Sequence, residues 1–228
     1  MRPQSSRIVS AVSELDDLTR AATIGGDGTA GGARSAVAAL PWLFGAIADD
    51  RAAARFDAWG RSTVIDENTG SPVITRALFD ELHDRAGLDQ EWPVGNAGLL
   101  HCYGYLLSLT ETPYGLKRDR WIEPALAEAC TLPRDAFSPW RGGPTLLTRA
   151  TAAASALLRS PAAGAARTVE GRESRVALSA TRGPAALAYE VAPATGAEPL
   201  LVTMFPVGDA DAVLAEFIAD PRLRWNAV

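Results

Sequence analysis

Cysteine, histidine and lysine are all scarce in this chain, and each scarcity removes a class of function. There are two cysteines, Cys102 and Cys130, and two histidines, His83 and His101. They form no CxxC pair and no Cys/His ladder, so the four-ligand set of a structural zinc site is excluded and no metal site is expected. A Cys102–Cys130 disulfide stays open, but two cysteines in 228 residues fit reduced thiols better. Lys117 is the only lysine, while arginine and alanine abound. That bias is the codon signature of a high-GC bacterium, so the isolation of Lys117 is not in itself a signal.

Long apolar runs are missing too. No stretch approaches the ~18 residues of a membrane span, and Met1–Arg7 is polar, without the apolar core of a secretion signal. These absences predict a soluble, cytoplasmic protein with no membrane partner. Dense positive charge is also lacking, since the net charge is −5. The one basic cluster, Lys117, Arg118 and Arg120, is interrupted by Asp119. A duplex binder needs a basic face that neutralises many phosphates. This cluster suits one anionic group on a small molecule, and no nucleic-acid partner is expected.

What is present is an ordinary globular composition, with 47% hydrophobic and 21% charged residues. A chain of this length buries roughly 70% of its unfolded surface and needs no staples. The pattern predicts one α+β domain over 1–228, its helix-rich N-terminal part packed with a largely antiparallel sheet. The front segment, 1–60, is helical. Ile8, Val12, Leu15, Leu18 and Ala22 keep helix spacing, as do Val37, Leu40, Leu43, Phe44 and Ile47, with Pro41 at a helix start or kink.

Val64-Ile65 and Val73-Ile74 flank Asp66–Gly70 as a hairpin. Thr75 caps a helix that Gly87 stops, with His83 on its surface. The segment 160–167 reads as a loop between the helical part and a C-terminal meander of three strands, Thr168–Leu178, Ala185–Val191 and Pro199–Phe205. Pro193–Gly196 punctuates the meander, and a helix over Asp209–Ala219 closes the chain.

Segment 98–109 is ambiguous. Aromatic content and the central Gly104 favour a strand; a cap at Asn96 would make it a helix. Under either reading His101 and Tyr105, four apart, share a face. An imidazole serves as acid or base near neutral pH, and a phenol can donate to a developing oxyanion. The expected site therefore has His101 and Tyr105 as catalytic groups, with Glu111 as orienting or second acid/base group. Tyr103, Tyr114, Lys117, Arg118, Arg120 and Trp121 would bind substrate. The plainer reading is a satisfied core histidine, tyrosines tiling a surface, and a solvated charged turn. Cys102 adjoins His101 in sequence, but a small buried residue explains it better than a nucleophile does.

Gly26-Asp27-Gly28-Thr29-Ala30-Gly31 matches G-x-G-x-x-G, but a helix, not a strand, precedes it. It reads as an interhelical loop or lid rather than a dinucleotide fingerprint. No cofactor is favoured. The functional expectation is an enzyme acting on a small polar, anionic metabolite by proton transfer: a lyase, isomerase or hydrolase. The alternative is a ligand-binding or protein-interaction module using the aromatic and arginine patch 103–121. A homo-oligomer is compatible with both.

Overall fold

The structure is a computed structural model; it describes residues 4–192 and 196–220, with side chains from Ser13 onward. The expected contacts of Ile8 and Val12, and most of the Pro193–Gly196 turn, lie outside the described residues. The chain is α+β. Its front is helical as anticipated, with α1 (Gln4–Gly25), α2 (Ala30–Ala38) and α3 (Pro41–Ala52). Pro41 occupies the first turn of α3, where its missing N–H costs nothing. A 3₁₀ turn, Arg55–Ala58, leads to β1 (Arg61–Thr63).

The chain does reverse at Asp66–Ser71. Asp66 Oδ1 accepts from the amides of Asn68 and Thr69, both at 3.0 Å, and the Val73 amide donates to the Val64 carbonyl. The ladder of β1, however, runs to β2 (Val94–Asn96), antiparallel, beyond the intervening helix α4 (Arg76–Ala86). Thr75 caps α4 through the Leu78 amide. Gly87 ends it at φ 65°, a left-handed conformation that glycine adopts without strain.

The strand favoured at 98–109 is instead α5 (Ala97–Cys102) followed by a 3₁₀ turn, Gly104–Leu107. The physical reason lies at Asn96. Its Oδ1 accepts from the Leu99 amide at 3.0 Å, closing the first turn, and its Nδ2 donates to the Phe56 and Trp59 carbonyls at 3.0 and 3.3 Å. A hairpin of β3 (Glu111–Thr112) and β4 (Gly115–Leu116) follows, then the short helices α6 (Asp119–Ile122) and α7 (Ala125–Ala129) and the longer α8 (Leu146–Arg159).

The C-terminal meander has four strands, β5 (Ala163–Val169), β6 (Arg172–Leu178), β7 (Ala185–Ala192) and β8 (Leu200–Val207), antiparallel in that order, closed by α9 (Ala210–Ala219). The extra strand comes from the segment expected to be a loop. Ala163–Val169 is small and mostly exposed, so no hydrophobic alternation announced it. Glu170 and Gly171 turn the chain at positive φ, and the whole of β5 then pairs with β6.

One face of the sheet joins the main core through Ala177, Ala186, Ala188 and Met204, together with residues from Leu18 to Leu158. The other face holds Leu178, Leu187 and Tyr189 against Phe217 of α9. The β8 edge is tied to the front of the chain, because Trp59 bridges Leu201 in parallel and the Gly60 amide donates to the Leu201 carbonyl. Among the described residues no helix is long and apolar enough to cross a membrane.

Candidate functional site

Four elements place polar side chains around one imidazole. His101 comes from the last turn of α5, which is pinned because the Trp121 indole N–H donates to the His101 carbonyl at 2.6 Å. Ser62, in the middle of β1, sets its Oγ 3.1 Å from His101 Nε2. Tyr105, in the 3₁₀ turn, brings its ring centroid to 4.9 Å from that of His101, and its hydroxyl points to the Thr63 carbonyl at 3.5 Å. The two rings thus meet, although α5 ends at Cys102 and Tyr105 lies in the following 3₁₀ turn.

Lys117 and Arg120 cover this group. Lys117 Nζ lies 5.8 Å from the Tyr105 ring centre and 2.5 Å from Asp66 Oδ2. The Arg120 guanidinium is boxed by three rings, 5.6 Å from Tyr105, 5.9 Å from Trp121 and 5.5 Å from Phe205. Its Nη1 donates to Thr203 Oγ1 on β8 at 3.5 Å. Cations over aromatic faces are held by the ring quadrupole, more strongly as water is excluded.

Burial governs the protonation states. His101 is only 3% exposed. Desolvation, reinforced by the positive charges of Arg120 and Lys117, pushes its pKa well below 6.5, while the Val202 main chain pulls weakly the other way. The ring is neutral at pH 7. The ring thus lies between the Ser62 hydroxyl at Nε2 and the Val202 main chain of β8. Burial pushes the Tyr105 phenol up to about 12, against the opposing pull of Arg120. For Asp66 burial opposes ionisation, but the Lys117 ammonium and the Thr69 and Asn68 amides outweigh it and hold the carboxyl below 3.8.

Other expected members fall elsewhere. Glu111 is exposed at the start of the β3–β4 hairpin, and Tyr114 is 84% exposed at its turn. Arg118 turns away to α1, where Nη1 donates to Thr19 Oγ1 at 3.1 Å. Tyr103 and Trp121 are buried and present no ring to solvent. The basic cluster is divided: Lys117 and Arg120 serve the His101 group, Arg118 does not. Ser62, Asp66 and Thr203 carry no sequence motif and went unforeseen. Their only signal was position, since strands pair 61–63 with 94–96 and bring β8 beside α5.

His83, expected on the surface, is fully buried. It stays inside because both nitrogens are satisfied: Nδ1 donates to the Phe79 carbonyl at 2.8 Å, and Nε2 accepts from the Asn96 amide at 3.2 Å. A second buried carboxylate, Asp50, accepts from Tyr103, Thr145 and Arg55 at 2.5, 2.6 and 3.0 Å. Its oxygens are fully occupied, which is a structural role. Cys102 is a buried free thiol whose pKa burial raises far out of the reactive range.

The glycine-rich turn does not offer a phosphate cradle. Asp27 Oδ1 accepts from the Thr29 amide at 2.7 Å, and Thr29 Oγ1 caps the Gly32 amide at 2.9 Å, so the chain's own oxygens occupy the start of α2. Two surface clefts, about 470 and 460 Å³, are lined by other residues, notably Trp59, Arg61 and Gln90 in one and Ile74, Trp92 and Leu107 in the other. No group of three or more metal-ligating side chains occurs among the described residues. Comparison with protein-family models, curated proteins and solved structures finds no match to this chain.

Proposed function

We propose that this chain is an acid–base enzyme acting on a small polar, anionic metabolite, with His101 as the proton-transferring group. The observation that carries this reading is the neutral imidazole within 3.1 Å of the Ser62 hydroxyl and under two cations. A buried histidine whose pKa is shifted by burial and by two specific cations beside it marks a candidate functional group. In the proposed reaction class a substrate carboxylate or phosphate meets Arg120 and Lys117. His101 takes or gives the proton. Tyr105 keeps its proton, its pKa being raised to about 12, and donates to developing negative charge. Glu111, Tyr114 and Arg118 have no part in this version. Both cysteines are free thiols, which suits a reducing compartment, so cytoplasmic action belongs to the proposal.

The test is turnover of small carboxylates and phosphate esters by purified chain, beside His101→Gln and Arg120→Met. Glutamine is preferred to alanine because His101 fills core volume. A His101→Gln variant that melts like wild type but loses all turnover supports the reading. Retained turnover in that variant, or no turnover and no anion-dependent rise in wild-type melting temperature, removes it. A protein-interaction reading now rests on Tyr114 and Leu109 alone, the exposed apolar groups of this region.

A further inference from the structure

The sheet ends on one side at β5, and among the described residues no strand covers that edge. The opposite edge is tied to Trp59 and Gly60, whereas among the described residues β5 pairs with β6 alone. Its sequence, Ala-Gly-Ala-Ala-Arg-Thr-Val, has no proline and one charge, and its register with β6 is unbroken by a bulge. Natural edges are ordinarily blunted by such devices, because a row of unpaired main-chain groups templates another strand. Small side chains at Gly164, Ala165 and Ala166 leave nothing bulky in the way.

The helix beside this edge is equally unfinished. α9 lies over β5 and β6 and is rich in apolar residues, yet only Ala210 and Phe217 of it are buried. Val213 and Leu214 are half-buried and Ile218 is 46% exposed. The charges on the two elements match: Arg167 of β5 and Glu216 of α9, both exposed, have no ion-pair partner among the described residues. An antiparallel pairing of β5 with a second β5 is two-fold symmetric, so it opposes Ala166 to itself and satisfies both edges at once. It also places both α9 helices on the same face of the joined sheet, beside the seam.

We propose that this chain is a homodimer built by β5–β5 sheet extension, with the exposed flank of α9 covering the junction. The experiment is light scattering on full-length protein, from about 1 to 100 μM, the range that brackets common dimer affinities. It compares wild type with Ala166→Glu, which places two like charges opposite each other, and with Ile218→Glu. Wild type at twice the 24.0 kDa chain mass, and both variants at the chain mass with unchanged melting temperature, support the interface. If one variant misfolds, the other decides. A wild type that stays monomeric, leaving the edge to a different occupant, overturns the proposal. So does a dimer that persists in the folded variants.

Discussion

The Tyr103 hydroxyl donates to Oδ2 of Asp50 over 2.5 Å, joining positions 53 residues apart. Asp50 also ties Thr145 at the start of α8 and Arg55 in the first 3₁₀ turn, so a single carboxylate fastens the ends of four elements. Removing Tyr103's hydroxyl leaves one carboxylate oxygen buried and unpaired. Tyr103→Phe is expected to cost about 1.5–3 kcal/mol, and Asp50→Ala about 3–5 kcal/mol, in denaturant unfolding. Equal and small losses would mean that water replaces the phenol.

Two buried histidines set the acid limb of the stability curve. Burial lowers both His83 and His101 below 6.5; for His83 the Phe79 carbonyl, Asp80 and Asp84 pull in the opposite direction. The unfolded chain therefore binds protons that the folded chain refuses. Their contribution is fully present above pH 6.5 and is lost as pH falls from there toward the folded pKa values. Each histidine adds a slope of up to about 1.4 kcal/mol per pH unit. Asp66, held below 3.8, adds a further loss at lower pH. Urea midpoints between pH 7 and 5 should fall, and His83→Gln should flatten part of that fall.

Gly95 is required by close approach. A Cβ there would lie 2.1 Å from His83 Nε2, the atom that accepts the Asn96 amide. Gly95→Ala must expel the imidazole or move β2, and either breaks the contact that precedes the α5 cap. A loss of about 2 kcal/mol or more is expected, with the Nε2 resonance of His83 shifted. A fully stable variant would show that this junction is plastic.

The thiols should react in sequence. Cys130 is half-buried, with burial pushing it up to about 11, and Cys102 is fully buried. A disulfide reagent at pH 8 is expected to label Cys130 slowly and Cys102 only on unfolding. Two labels taken up at once by native protein would contradict the packing around α5.

The fold was legible wherever local chemistry is decisive. Thr75 with Gly87, Pro41 and the Asp66–Gly70 turn each act through their own backbone and near neighbours, and all are found. Two of the misreadings share one cause. Segment 98–109 is aromatic-rich like a strand, but the Asn96 side chain decides its conformation through one cap and two carbonyls 37 and 40 residues away. His83 looks exposed among Glu81, Asp84 and Arg85, and the Phe79 carbonyl together with the more distant Asn96 amide makes its interior place tolerable. β5 had no hydrophobic alternation to betray it. In the candidate site, the i, i+4 spacing of His101 and Tyr105 survived every reading, whereas Ser62 and Thr203 arrive through strand pairing that no spacing encodes.

The bridge between Trp59 and Leu201 bears on synthesis as well as on shape. Arg120 finds Thr203, and His101 meets the Val202 main chain, only once β8 has been made. A nascent chain halted after α8 would hold the imidazole and both cations but lack the wall against which they are set. Assembly of the polar cluster must therefore wait until β8 has been made, and truncations upstream of residue 200 should leave Arg120 and His101 without these contacts.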